Sequence, residues 1–510
     1  MTVSDLAQHF TPRQAVDLAY DLIDELYGPL RAPRVIDPAC GEGAFLFRAI
    51  ERGLTQPALT FGIERDPALA RRAFRKADGP RAAVADALSG LAMPRAPGTF
   101  DLVIANPPYG TGAAGLRGLS PGEAARLAAA YGLWALPRQA RRRVAPERLR
   151  SYPAEVLFLE LCLSLARPGG HVAILVPEGI AANSRYASVR EWLLANVQVD
   201  AVVGLPKSTF RRTGAAAKAV LLLLTKRPPR AGHRVMLGEV GEWGAPSLEA
   251  LLNFRAEQPQ SNPRLLFRLD PSYWHPRHEA LLEVCPWALT PLGDFIRDLT
   301  YGPIVTGREA PRLERGVSIV NQGQVHFCGV DLTEAPRVSP DSPWVSSRSR
   351  LRPRDVVLPR SGEGSLGKHR VAVFLGDEPA GVGSFVDLIR LQGLNPFYLA
   401  AFLKSRLGRS QVSRLANGVG VPNISFDEIR SLRVPALPAL CQQAIERQYR
   451  TEVLPLHRAA VERHAALQRH SREAGGDGEL ARLREAGEKR WAEVIGELDE
   501  MILNGSREGP

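Results

Sequence analysis

The tetrapeptide Asn106-Pro107-Pro108-Tyr109 is the stretch of this chain best suited to chemistry. Each proline fixes φ and removes a backbone donor. What remains is the Asn106 side-chain oxygen, a rigid run of carbonyls and an aromatic ring. Acceptors beside a stacking ring suit an exocyclic amino group on a planar base, or a planar amide. The preceding run, Phe100-Asp101-Leu102-Val103-Ile104-Ala105, reads as a buried parallel strand. That places the tetrapeptide in the loop at a strand's carboxyl end, where open α/β sheets hold their ligands. Asn-Pro also marks ordinary turns, so the rest of the chain has to decide between the two.

A second loop points to a cofactor. Val35-Ile36 leads into Asp37-Pro38-Ala39-Cys40-Gly41-Glu42-Gly43, and a helix follows. Gly41 and Gly43 let the backbone turn tightly and approach a ligand. Glu64 ends the next strand, about 20 residues on, where a carboxylate can accept from ribose hydroxyls. Asp86 ends a further short apolar segment and can meet an adenine amino group. No G-x-x-x-x-G-K-[ST] phosphate loop occurs, and Asp37 would repel a pyrophosphate. A nucleoside without phosphates but with a cationic centre fits better than NAD or ATP, and S-adenosylmethionine has both properties.

The elements that must carry these loops alternate. Strands are predicted over Arg34–Ile36, Leu59–Glu64, Phe100–Ala105, His171–Val176, Val199–Leu205 and Lys218–Thr225. Helices are predicted over Arg13–Leu26, Ala44–Arg52, Pro67–Arg75, Glu155–Leu165 and Ala187–Asn196. The alternation predicts an α/β fold, a doubly wound, mostly parallel Rossmann-like sheet. The last two strands are too close for a helical crossover and are expected as an antiparallel hairpin. Gly110 to Ser151 reads as an insertion with a basic cluster (Arg138, Arg141, Arg142, Arg143, Arg148, Arg150), and a solvated helix face is its plainer reading. Pro228-Pro229 and Gly241–Pro246 suggest a boundary. Beyond it come short β-like runs, at Gly316–Val320, Asp355–Pro359, Val371–Phe374 and Phe385–Leu391. Two helices follow, Gln442–Gln468 and Glu479–Ile502. The expected division is 1–250, 251–440 (an α+β segment) and 441–510 (helical).

Composition narrows the class. The 510 residues carry a net charge of +11, mostly as Arg, which suits a polyanionic partner and equally reflects coding bias. The five cysteines are scattered with no C-x-x-C, so neither a zinc site nor a disulfide framework is expected, and no metal is called for. Met1 to Asp5 shows no signal-peptide pattern, and no apolar run reaches membrane-spanning length. A reducing cytoplasm is the expected location.

Taken in order, the Asp37–Gly43 loop, Glu64, Asp86 and Asn106–Tyr109 resemble the amino-group DNA methyltransferases that modify adenine N6. Phe10-Thr11-Pro12-Arg13, ahead of the glycine loop, gives the chain order of the gamma class, to which type I modification subunits and some type II enzymes belong. The resemblance implies cofactor contacts from Thr11, Asp37, Ala39, Gly41, Glu64, Arg65, Asp86, Ala87 and Phe158. It implies catalysis at Asn106, Pro107, Pro108 and Tyr109. Leu205 to Phe210 is similar to the segment whose aromatic stacks on the extruded base, which gives Tyr109 and Phe210 that role. The neighbours Arg211 and Arg212 suggest an exposed loop near phosphates. Phe267 to Trp274 and the segments Gly418–Ile424 and Val434–Pro438 resemble the opening and closing parts of a type I specificity-subunit recognition domain. Arg360, Lys368 and His369 are its candidate DNA contacts.

The resemblance implies base flipping in duplex DNA and a role in a restriction-modification or related defence system, with a separate nuclease subunit as a further partner. Two rivals stay open. Asn-Pro-Pro-Tyr also occurs in glutamine and ribosomal RNA methyltransferases, and a non-catalytic DNA-specificity protein could retain a relic of the domain.

Overall fold

The computed structural model describes residues 11–73, 79–89, 98–110, 116, 118–132, 149–150, 152–206, 208–210, 218–241, 254–257, 268–306, 313–416, 423–469 and 477–505. Phe10, Arg211, Arg212, the glycine-rich run 418–422 and the basic cluster from Arg138 to Arg148 lie outside them. The chain forms two compact units, 1–275 (with 418–420) and 276–510.

The first unit is built on a nine-stranded sheet: β1 (Val35–Asp37), β2 (Thr60–Glu64), β3 (Arg81–Val84), β4 (Phe100–Ala105), β5 (Ala166–Pro177), β6 (Gln198–Gly204), β7 (Ala219–Thr225), β8 (Arg234–Glu239) and β9 (Phe254–Glu257). Their order is β3-β2-β1-β4-β5-β7-β6-β8-β9. The predicted hairpin is present, with β7 running antiparallel to both β5 and β6. Helices α1 (Arg13–Tyr27), α2 (Ala44–Glu51), α3 (Pro67–Ala73), α4 (Pro121–Ala130), α5 (Ala154–Leu165), α6 (Glu178–Ala182) and α7 (Ala187–Asn196) accompany it.

The sheet is buried on both faces, which is why its central strands read as unbroken apolar runs. Successive side chains alternate between faces. Leu102 and Ile104 of β4 pack with α1 and α2, while Val103 and Ala105 pack with α5 and α7. Each such Leu, Ile or Val contributes about 1.5–3 kcal/mol by leaving water. From β1 the chain runs outward through β2 to β3, then returns to β4 on the other side of β1. The crevice beyond the carboxyl ends of β1 and β4 is therefore the topological switch point, where such sheets bind ligands.

Two expectations change here. Pro228-Pro229 is a turn within the sheet, because β8 follows it and pairs in parallel with β6. The unit also reaches residue 275 rather than 250. Leu269 donates its amide to Ala181 O at 2.9 Å. Arg268 and Asp270 form a buried pair, with Nε to Oδ1 at 2.5 Å, and the Trp274 indole donates to Arg268 O. The segment that resembles the start of a recognition domain is thus anchored on the first unit.

The second unit holds β10 (Leu289–Pro291), β11 (Ile296–Tyr301), β12 (Val317–Val320), β13 (Arg337–Val338), β14 (Val356–Pro359), β15 (Ala372–Val373), β16 (Ala380–Val382), β17 (Val386–Leu391) and β18 (Arg433–Pro435). They form sheets ordered β11-β17-β14-β15, β13-β12-β16 and β10-β18. The C-terminal helices Leu454–Arg469 and Gly478–Asn504 pack on each other through Ala460, Leu467 and Leu480. They belong to the same unit as these strands: Tyr449 donates its hydroxyl to Cys328 O, and Trp287 donates to Met501 O at 2.9 Å. Among the described residues no helix is long and apolar enough to cross a membrane, and no cluster of His, Cys, Asp or Glu is arranged to hold a metal ion. All five cysteines are free thiols.

Candidate active site

A cavity of about 260 Å³ opens at the switch point. Thr11, Asp37, Ala39, Gly41, Glu64, Arg65, Asp86, Ala87 and Phe158 all line it, together with Asn106 and Pro108. These residues come from the ends of four strands, from α5 and from the segment before α1, so only the fold brings them together.

The loop after β1 is shaped by its own residues. Gly41 (φ 53°) and Gly43 (φ 83°) take left-handed conformations, which cost L-residues with a side chain about 1–2 kcal/mol. Gly43 then leads directly into α2. The Asp37 carboxylate accepts the Ala39 amide at 2.9 Å. Glu64 braces the loop from β2. One of its oxygens accepts the Gly41 amide at 2.8 Å, and the other accepts the Asp66 amide at 2.8 Å. The loop lies against Gly62, where a Cβ would sit 2.8 Å from Cys40 Sγ. Asp86 accepts the Leu88 amide at 3.0 Å.

Asp37 is almost wholly out of water. Burial pushes its carboxyl up to about 8; the Ala39 amide opposes this and nearby Glu64 adds to it. Three carboxyl groups around one cavity suit a cation and ribose or amino donors, and they disfavour phosphate. This donor set fits S-adenosylmethionine.

Asn106 stands at the cavity's edge with its amide held at both ends. Its Nδ2 donates to Thr11 Oγ1 at 3.0 Å, and its Oδ1 accepts the Tyr109 hydroxyl at 3.0 Å. Burial raises the Tyr109 phenol's pKa, with nearby Glu155 adding to the effect, so it stays a donor at neutral pH. Past Tyr109, the Gly110 amide donates to Glu155 Oε2 at 2.8 Å. Glu155 opens α5 and is itself buried, and that burial raises its carboxyl pKa. The sequence reading missed Glu155. Its signal was an acid at the start of an otherwise apolar helix, where the macrodipole favours a negative charge.

Phe210 corrects an expectation. It is fully buried rather than on an exposed loop, packed in the core with Leu205 and Ala219. Its ring meets that of Tyr109 edge-on, with centroids 6.3 Å apart and planes at 83°. The arginines that suggested exposure, Arg211 and Arg212, lie outside the described residues.

In the second unit, Arg360 follows β14 and lies over the Tyr301 ring at 4.3 Å. Lys368 is exposed in the turn after Gly362–Leu366. His369 is half-buried. Burial, with the charges of Arg409 and Lys404, pushes its imidazole down to about 4, so it carries no charge for a phosphate at neutral pH.

Fold and cavity define this first unit as a doubly wound α/β domain with a cavity at its switch point. Residues 2–244 match the family model of the N-6 DNA methylases. Similar solved structures include a modification subunit of a type I restriction enzyme from Vibrio vulnificus. It shows 21% identity over 47% of this chain and 48% of that one, at a TM-score of 0.36. A class I S-adenosylmethionine-dependent methyltransferase from Listeria monocytogenes shows 21% identity over 49% and 70%, at 0.37. The type IIL restriction-modification enzyme MmeI, solved in complex with DNA, shows 13% identity over 98% and 74%, at 0.48. The chain spans about half the length of the Vibrio subunit.

Proposed function

We propose that this chain is a site-specific DNA methyltransferase that modifies adenine N6 in duplex DNA, the modification part of a restriction-modification or related system. The observation that carries this reading is the Asn106 amide, held between Thr11 of the acid-lined cavity and the hydroxyl of Tyr109. S-adenosylmethionine, when bound by Asp37, Glu64, Asp86 and Phe158, supplies an electrophilic methyl group on a sulfonium centre.

Adenine N6 is a poor nucleophile because its lone pair is delocalised into the ring. The base must also leave the duplex, at a cost of a few kcal/mol. An amide oxygen has two acceptor sites, so Asn106 Oδ1 can take the Tyr109 hydroxyl and one N6 hydrogen together. The Pro107 carbonyl accepts the other. Two acceptors favour a pyramidal nitrogen and stabilise the positive charge that develops on it. With the cofactor held by the cavity residues, its methyl group would pass to N6 while Asn106 and the Pro107 carbonyl hold the amino group, and the N6 proton would leave to water. Tyr109 supplies the stacking face, a contribution of about 1–3 kcal/mol per base, and Phe210 buttresses its ring. Direct stacking by Phe210 requires it to leave its buried position.

Duplex DNA is the proposed partner, with a separate nuclease subunit as a second and a cytoplasmic setting. Residues 276–440 are proposed to carry target recognition. Long-read sequencing of DNA from cells expressing the chain is expected to show N6-methyladenine in one motif, and Asn106→Ala is expected to abolish it. Methylation that persists in Asn106→Ala would sink the reading.

A further inference from the structure

The second unit keeps a carboxylate out of water with nothing to satisfy it. Asp387 lies on β17 between its neighbours β11 and β14, opposite Tyr301 and Leu358. Its residue is fully buried, and neither side-chain oxygen has a hydrogen-bond partner among the described residues. Leaving such a group unmet is costly, and more so when it is charged. Burial pushes the carboxyl up to about 7, against the pull of Arg360. Arg360 Nε stands 3.9 Å from Asp387 Oδ1, too far for a hydrogen bond.

Arg360 is otherwise well fixed. Its backbone amide donates to Phe385 O at 3.1 Å, and its carbonyl accepts from Ile424 N at 3.1 Å. The guanidinium lies over Tyr301 at 4.3 Å and 5.7 Å from the Phe426 ring. Among the described residues Arg360 forms no side-chain hydrogen bond, and its terminal Nη fork meets no partner there. Phe385, next to it, is 60% exposed.

We propose that Arg360 reads a guanine in the target sequence, its Nη fork meeting O6 and N7, with Asp387, 3.9 Å from Nε, as the positioning residue whose charge draws the Nε edge inward and leaves the fork facing out. The inference rests on the reading that the second unit carries target recognition. Guanine is the base whose major-groove edge offers two adjacent acceptors; adenine offers N7 beside an amino donor, which two N–H groups cannot meet. The carboxylate argues for a base over a phosphate. A phosphate site gathers positive charge, whereas here an acid stands beside Arg360 and, when ionised, offsets its charge, which suits a neutral base edge better than a phosphate. The Tyr301 shelf limits the guanidinium's rotation, so the fork is held before DNA arrives.

The test uses the full chain and a panel of duplexes carrying the methylated motif, each with one base pair changed. Binding is read by fluorescence anisotropy and methyl transfer by kinetics. The wild-type chain is expected to reject replacement of one G·C pair by about 5- to 150-fold. Arg360→Lys, which keeps the charge but loses the fork, is expected to lose that preference and keep those at the other positions. Asp387→Asn is expected to lose the same preference, and the double variant to lose no more than either single one. A merely structural role would instead weaken every duplex alike. An unchanged preference in Arg360→Lys, or uniform weakening across the panel at an unchanged melting temperature, overturns the inference while leaving the recognition reading intact. A wild-type chain without sequence preference overturns both. Arg360→Lys keeps the charge and the aliphatic stem of a side chain that is 20% exposed, so it decides the matter even where Asp387→Asn fails to fold.

Discussion

Asp37 is the residue at which charge and the proposed cofactor meet. Its carboxyl stands at about 8 in the folded protein, against about 3.9 in an unfolded chain. The folded state therefore holds the proton longer. Between roughly pH 4 and pH 8 the unfolded chain binds fewer protons, so this group's contribution to stability falls as pH rises through that window and levels off above it. A cation seated beside Asp37 favours the ionised form. Binding of S-adenosylmethionine near pH 7 should then release a proton from this residue, and affinity should rise from pH 6 to pH 8. Calorimetry in buffers of different ionisation heat measures that release directly. Asp37→Asn should bind more weakly and release correspondingly less; equal proton release by both proteins would mean that Asp37 is not the group involved.

At the scale of elements, the site depends on how closely the loop after β1 rests on β2. A methyl group at Gly62 would lie 2.8 Å from Cys40 Sγ and 2.9 Å from Leu46 Cδ1, so either the loop or α2 must give way. Gly62→Ala is expected to cost about 1–3 kcal/mol, as overpacking does, and to weaken cofactor binding because Asp37 and Gly41 move with the loop. Thermal unfolding and calorimetry check both effects. A variant that melts and binds like the parent would mean that the loop has slack the distances do not suggest. This tight packing also explains what was legible in the sequence. Strands β1, β2 and β4 to β7 and helices α1, α2, α3, α5 and α7 follow from apolar runs and from the 3.6-residue period, and the acids at strand ends follow from the loop order; β3, whose residues are exposed, was legible only as the short segment before Asp86. The roles of β8 and of Pro228-Pro229 were not legible, because a proline pair marks a turn inside a sheet and a linker alike. Phe210 was misjudged because its neighbours are arginines, while its burial is set by Leu205, Ala219 and Tyr109. Asp387 gave no local signal at all: its isolation is made by Tyr301 and Leu358, which are distant in sequence.

For the whole molecule, the +11 charge has to be reconciled with an acidic cavity. Asp37, Glu64 and Asp86 repel a polyanion, so for the proposed DNA partner the attracting charge must lie on other surfaces and act through phosphates. Phosphate contacts release counterions, and the logarithm of affinity falls linearly with the logarithm of salt concentration. A chain that meets 6–10 phosphates would lose about 10³- to 10⁵-fold in affinity between roughly 50 and 200 mM salt. Cofactor binding draws on buried groups that are screened far less, and it should change little over the same range. The two titrations on one protein separate the possible origins of the charge. A steep slope for DNA beside a flat one for S-adenosylmethionine is expected if the arginines serve DNA binding. A DNA affinity that falls less than about tenfold would mean fewer than about two phosphate contacts, and the excess of arginine would then reflect composition rather than a nucleic-acid surface.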